Sequence, residues 1–393
     1  MENDNLKKSK SSFWHELLHP APTVVFRTKG GIDKQFLLIV VFLVAFGSVA
    51  VFSAGYVYAS KYFDDSFYFI KRQFIYALIG IAVMVLLSHI DYALLKRFAL
   101  PAFAVSYVLL LLVLVPGVGV TSHGATRWLS IGPIRFQPSE IAKFTLILLL
   151  AAYVSFFADK IKKFRYGILF PALITMLVCA ATVLEHHMSG TIIIFLIGAC
   201  MIFLSGADWK WLGAIGGAFA AGALGIVLFT DYTKSRIDAW LNPESDLLGK
   251  GWQPYQSLLA IGSGGLFGVG LGNSYQKQLW LPEPQNDFIF AVVCEEMGLI
   301  GALAVMALFF MLIMRGIKIA RRAPDTFSSV LAAGLTAKVG IQAILNIAVV
   351  TVSIPTTGIA LPFFSYGGSA LVMQLAEMGI ILSISRYSRQ REI

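Results

Sequence analysis

Residues 36–56 read FLLIVVFLVAFGSVAVFSAGY. No charged side chain interrupts the run, and it is as long as the roughly 20 apolar residues that cross ~30 Å of hydrocarbon. Working outward with windows of that size predicts ten spans: 36–56, 70–89, 98–117, 139–157, 166–184, 190–206, 211–229, 288–314, 327–350 and 364–385. The sixth and seventh are the least separated, with Ala207, Asp208, Trp209 and Lys210 between them. The expected fold is an all-α polytopic membrane protein of about ten transmembrane helices, with a large extracytoplasmic loop at 230–287 between spans seven and eight. Residues 1–35 form an N-terminal segment, 36–386 the membrane domain and 387–393 a short tail.

Composition agrees. Hydrophobic residues make up 57% of the 393, charged residues 13%, and the mean hydropathy is +0.75. A soluble domain carries roughly 25% charged residues, so a soluble or a disordered chain is excluded. Long apolar runs, rather than short alternating strands, argue against an outer-membrane barrel. Residues 1–35 are polar and basic and no small-residue cleavage site follows a short apolar core, so the first apolar run is expected to stay as an anchor. Cys179, Cys200 and Cys294 fall in apolar stretches and are expected as free thiols.

The net charge is +9. Its cations cluster in alternate loops: Lys7 to Lys34, Lys96 and Arg97, Lys160 to Arg165, Lys210, Arg315 to Arg322, and Arg386 to Arg391. By the positive-inside rule these loops face the cytoplasm, with both termini on that side. No basic face with a groove-binding motif is present, so no nucleic-acid partner is expected.

Ionisable groups inside a bilayer cost at least ~2.5–3.5 kcal/mol each, and so require partners or a task. Glu140 and Lys143 share a helical face at the start of the fourth span and can pair. Glu295, Glu296, Lys338 and Glu377 lie deeper, as interhelical ion pairs or as functional groups. Arg127 and Arg135 join Lys143 on one outer stretch. Cations converging there suit a pyrophosphate; snorkelling to lipid headgroups is the alternative. Asp287 sits at the outer rim of the eighth span, where partial desolvation favours a general base, although position alone favours a helix N-cap. The glycine-rich run Gly262–Gly272 is neither a P-loop nor a dinucleotide fingerprint. His186 and His187, being adjacent, point apart and make a poor metal site.

Several ordered motifs resemble one family. Gly124-Ala125-Thr126-Arg127-Trp128 and Ile134-Arg135-Phe136-Gln137-Pro138-Ser139-Glu140-Ile141-Ala142-Lys143 resemble the stretch after the third span of SEDS proteins, the FtsW, RodA and SpoVE type. Tyr255-Gln256-Ser257, Ala260 to Gly265, Leu281-Pro282-Glu283 and Asp287-Phe288-Ile289-Phe290-Ala291 resemble its large loop. Pro355-Thr356-Thr357-Gly358 and Leu361 to Ser369 resemble its C-terminal signature. His186 stands where the family usually has proline, Ala370 where it has a second serine, and Val352 where glycine is common. The Pro284-Gln285-Asn286-Asp287 wording leans toward the division or sporulation branches.

The resemblance implies an inverting peptidoglycan glycosyltransferase that polymerises lipid II. It implies Asp287 as the catalytic residue and a substrate-binding set of Arg127, Arg135, Lys143, Glu140, Gln137, Gln256, Ser263, Lys277 and Glu283. A divalent cation such as Mg on the pyrophosphate is compatible with this chemistry, although no ligand set in the sequence demands one. A class B penicillin-binding protein and other divisome or elongasome membrane proteins are the implied partners. A lipid II flippase, or a scaffold that activates a transpeptidase, are the competing classes.

Overall fold

The computed structural model describes residues 30–122, 125–132, 134–208, 213, 217, 240–246, 249 and 251–387. In chain order, α1 spans Lys34–Phe63, α2 Tyr68–His89 and α3 Ala93–Val113. Three short strands follow, β1 Gly119–Ser122, β2 Ala125–Ile131 and β3 Ile134–Phe136. Then come α4 Pro138–Phe156, α5 Phe170–Leu184, α6 Met188–Leu204, α7 Trp252–Gly264, α8 Ile289–Arg321, α9 Thr326–Val350 and α10 Gly368–Arg386. Among the described residues, eight helices are long and apolar enough to cross a membrane, and Met188–Leu204 is a shorter apolar one. These nine match nine of the ten expected spans in order, and the seventh, 211–229, lies outside the described residues apart from positions 213 and 217.

Local chemistry sets the helix ends. Asp33 caps α1, its Oδ1 accepting from Phe36 N–H at 3.0 Å, and Asp325 caps α9 by accepting from Ser328 N–H at 2.9 Å. The α1 helix has 30 residues, or about 45 Å at 1.5 Å per residue, which exceeds the hydrocarbon thickness and runs past the 36–56 window at both ends. Polar Asp33, Lys34, Lys61 and Asp64 sit at those ends, in the headgroup layers that a hydropathy window excludes.

The fold is helical as expected, and a small three-stranded antiparallel sheet lies between α3 and α4. Gly119 pairs with Leu129, and Leu129 in turn with Phe136. The segment is too short and too polar to be a helix, and its Thr, Trp, Ile and Phe residues suit strands. Gly132, with φ +60°, supplies the left-handed turn between β2 and β3.

The long loop is not irregular throughout. Its α7 helix leads into a return segment that packs on α8: Val269 N–H donates to Glu295 O and Gly270 N–H to Glu296 O, both at 3.0 Å, and Leu299 N–H donates to Gly265 O at 2.9 Å. Gly298 lies nine residues into α8, about 14 Å along its axis. The return segment therefore lies alongside the first turns of α8, with these backbone N–H groups satisfied by protein.

Helices α4, α9 and α10 form the interior, and α2 and α3 present mostly outward faces. α2 and α10 approach closely over small residues: a Cβ on Gly80 would come 2.5 Å from Leu375 Cδ1, and one on Gly379 2.5 Å from the Met84 carbonyl oxygen.

Candidate active site

Asp287 lies just outside α8. The N-cap position is Phe288, and no side chain caps it, so the capping role weighed for Asp287 is not the arrangement found. Its carboxylate rests against Gly358: a Cβ there would sit 2.9 Å from Oδ2. The three carbonyls of residues 285–287 are each held by the C-terminal part of the chain. Tyr366 N–H donates to Gln285 O at 2.9 Å, Ser365 Oγ to Asn286 O at 2.7 Å, and Asn346 Nδ2 to Asp287 O at 2.7 Å. Asp287 itself remains partly exposed.

The large-loop candidates take different positions. Glu283 is half-buried with φ +46°, and its Oε2 accepts from Asn286 Nδ2 at 2.8 Å, so it braces the turn that presents Asp287. Gln256 is buried on α7, beside Ser257, whose hydroxyl donates to Val350 O at 2.6 Å. Ser263 is exposed and donates to Ala260 O at 3.0 Å within its own helix. Lys277 differs from the substrate-binding expectation. It is fully buried, its Nζ lies 2.7 Å from Glu296 Oε1 and 3.1 Å from Ser53 Oγ, and Tyr56 lies beneath it at 5.0 Å. Glu295 accepts from Ser274 Oγ at 2.5 Å and from Tyr275 N–H at 2.8 Å. These groups fasten the return segment to α1 and α8.

The small sheet carries two of the candidate cations in different settings. Arg127 is the half-buried residue at the irregularity between Thr126 and Trp128 on β2, whereas Arg135 pairs with Ser130 across the strands and both are exposed. Arg127 turns inward, and its Nη2 donates to His186 O at 2.7 Å. The three expected cations therefore do not converge as one set: Arg127 and Lys143 face inward and Arg135 faces outward.

Beneath the sheet lies a chain of buried charges. Lys143 Nζ is 2.5 Å from Glu140 Oε1, as the spacing predicted. Lys338 Nζ is 2.5 Å from Glu377 Oε1 and 3.9 Å from Glu140 Oε2. The four groups join α4, α9 and α10. Gln137, at the N-cap position of α4, has its Nε2 3.4 Å from His187 Nε2 and so links this chain to the α5–α6 turn.

In that turn, burial pushes the Glu185 carboxyl up to about 8, against the opposing pull of Arg127. Burial, with the Arg127 and Lys143 charges, pushes His187 down to about 3. At neutral pH both are uncharged. Among the described residues, no three His, Cys, Asp or Glu side chains converge to hold a metal ion.

Helix α9 connects the two parts. Lys338 and Asn346 are eight residues apart on it, about 12 Å along the axis. Asn346 was missed in the sequence because a search for ionisable groups in apolar runs passes over a neutral amide. Glu185 stands next to the two histidines in the sequence, and nothing local marks it as buried.

The family model of the cell cycle proteins FtsW, RodA and SpoVE matches residues 34–390. Stage V sporulation protein E of Bacillus subtilis is 42% identical over 362 residues, covering 91% of this chain and 98% of that protein. A probable peptidoglycan glycosyltransferase FtsW of Geobacter is 41% identical over 360 residues, with 91% and 98% coverage. Among solved structures, a chain of a peptidoglycan synthase complex superposes with a TM-score of 0.75 at 29% identity, covering 92% of this chain and 99% of that one. RodA of Thermus thermophilus gives 0.67 at 28% identity, with 92% and 98% coverage. The sequence motifs, the helical membrane architecture and these likenesses agree, and the chain belongs to the FtsW, RodA and SpoVE family of peptidoglycan glycosyltransferases.

Proposed function

We propose that the chain polymerises lipid II at the outer face of the bacterial cytoplasmic membrane, with Asp287 as general base. Asp287 takes the proton of the acceptor sugar's 4-hydroxyl as that oxygen bonds to the donor's anomeric carbon. The anomeric carbon–oxygen bond to the lipid pyrophosphate breaks, and the pyrophosphate leaves with the bonding electrons. Attack from the opposite face inverts the centre and needs no covalent enzyme intermediate. Arg127 and Lys143 stabilise the leaving charge from the inner side of the sheet, and exposed Arg135 draws the anionic lipid in from outside. The observation that carries this reading is the seat of Asp287: a partly exposed carboxylate on a backbone clamped at three successive carbonyls.

The donors described do not fit a protein-held metal, and no step above runs through one. A divalent cation would be held by the substrate's own phosphates. The loop cations support a cytoplasmic position for both termini. A synthase complex among the structural relatives supports a transpeptidase partner of the class B penicillin-binding type, within the division or sporulation machinery that the named relatives serve.

The test is polymerisation of labelled lipid II by the purified chain with its transpeptidase, comparing it with Asp287→Ala. Long glycan from the unaltered chain and none from a folded variant is expected. Equal polymer from both would remove Asp287 as the base. Lipid movement in vesicles without polymer from either would favour the flippase class.

A further inference from the structure

We propose that Asn346 is a positioning residue for the reaction, setting the Asp287 carboxylate from behind. This rests on the reading of Asp287 as base. Asn346 is fully buried near the outer end of α9, and its one amide nitrogen serves two backbone segments. It donates to Asp287 O and to Ile359 O, each at 2.7 Å. Ile359 follows Gly358, the residue against which Asp287 Oδ2 rests. One side chain therefore joins the two strips of backbone between which the carboxylate lies. Its orientation is settled by chemistry, because the reverse amide would press Oδ1 against two carbonyl oxygens.

The rest of the clamp does not duplicate this bond. Tyr366 N–H and Ser365 Oγ hold residues 285 and 286, so the turn keeps its path when Asn346 is truncated. What is lost is the hold on Asp287's own peptide and its spacing from Gly358. A shift of about 1 Å in a catalytic group can cost on the order of 100-fold in rate. Gly358 provides an independent handle on the same carboxylate. It is exposed, so Gly358→Ala leaves the fold intact while placing a methyl 2.9 Å from Oδ2.

The experiment measures lipid II polymerisation by the full chain with its transpeptidase, as kcat and KM across pH, for Asn346→Ala, Gly358→Ala and Asp287→Ala. For the first two, kcat should fall by about 10- to 100-fold. KM should stay within about twofold, and the acid limb of the pH–rate profile should move. A role in folding alone would leave kcat per folded molecule and that limb unchanged. Unchanged kcat and limb in both variants, or a raised KM at constant kcat, overturns the proposal. If Asn346→Ala does not fold, Gly358→Ala decides: an unaltered limb there is equally fatal. If Asp287→Ala is inactive while the other two behave normally, this inference alone fails. If Asp287→Ala polymerises normally, the base assignment fails first.

Discussion

Glu185 shows what a single buried carboxyl does to this protein's pH dependence. It sits in the turn between α5 and α6 with both oxygens buried and without hydrogen-bond partners. Its folded-state pKa of about 8 lies above the ordinary 4.5. An acid with a raised folded pKa binds its proton more tightly in the native state. Its contribution to stability is full below the ordinary value and is lost as pH rises toward 8. His187 acts in the opposite sense: its folded pKa of about 3 lies below 6.5, so its contribution is lost as pH falls through that interval. Between pH 6.5 and 8 the loss from Glu185 outweighs the small remaining gain from His187, and the unaltered chain should lose on the order of 1 kcal/mol across that window. Glu185→Gln keeps the shape and removes the proton. Thermal unfolding in detergent at those two pH values should show a flatter dependence for the variant; the same slope in both would refute the assignment.

At the scale of elements, two features join helices that hydropathy treats as separate. The first is the charge chain across α4, α9 and α10. Removing one member of a buried pair costs about 3–5 kcal/mol because the partner stays charged and unpaired, whereas replacing both is far milder. Lys338→Met should therefore destabilise the bundle strongly by leaving Glu377 without its 2.5 Å partner. Lys338→Met with Glu377→Gln should recover most of the loss, since Glu140 keeps Lys143. Equal unfolding temperatures for the single and double variants would show that the pair carries no such linkage.

The second feature is the break in α8. Gly298 has φ 64° and ψ −162°, a conformation essentially confined to glycine. A Cβ there would meet Gly268 N and come 2.5 Å from Leu266 O. Gly298→Ala should push the return segment off α8, lower the unfolding temperature and expose residues 265–280 to protease. Unchanged cleavage in that segment would mean the close approach is not needed.

For the whole molecule, what hydropathy and loop charge could read was the approximate place and order of the spans among the described residues. They could not read the sheet at 119–136, because three short strands leave no period in an apolar window. Glu140–Lys143 was legible because i and i+3 are neighbours on any helix, but the link from Lys338 back to Glu140 depends on tertiary packing alone. Lys277 looked available in the sequence and is locked to Glu296, for the same reason. Asp287 was legible as a rim carboxylate, and the clamp on 285–287 from residues 346, 365 and 366 was not, since the bonded partners lie 59 to 81 residues apart.

One global property joins loop charge to packing. Gly30 N–H donates to Arg386 O at 2.7 Å, and Arg315 bridges Asp33 at 2.9 Å, so the start of α1, the end of α10 and the basic end of α8 form one face. The positive-inside rule predicts that this face is cytoplasmic and that Asp287 and Trp280 lie on the opposite side. Cysteine labelling in intact cells tests this directly. In a background with Cys179, Cys200 and Cys294 replaced, Trp280→Cys should react with a membrane-impermeant maleimide, and Lys318→Cys should react only after the membrane is opened. Both positions are exposed on the protein, so the membrane alone should separate them. Labelling of Lys318→Cys in intact cells would invert the orientation and place Asp287 on the side away from the outer leaflet, where the proposed polymerisation could not occur.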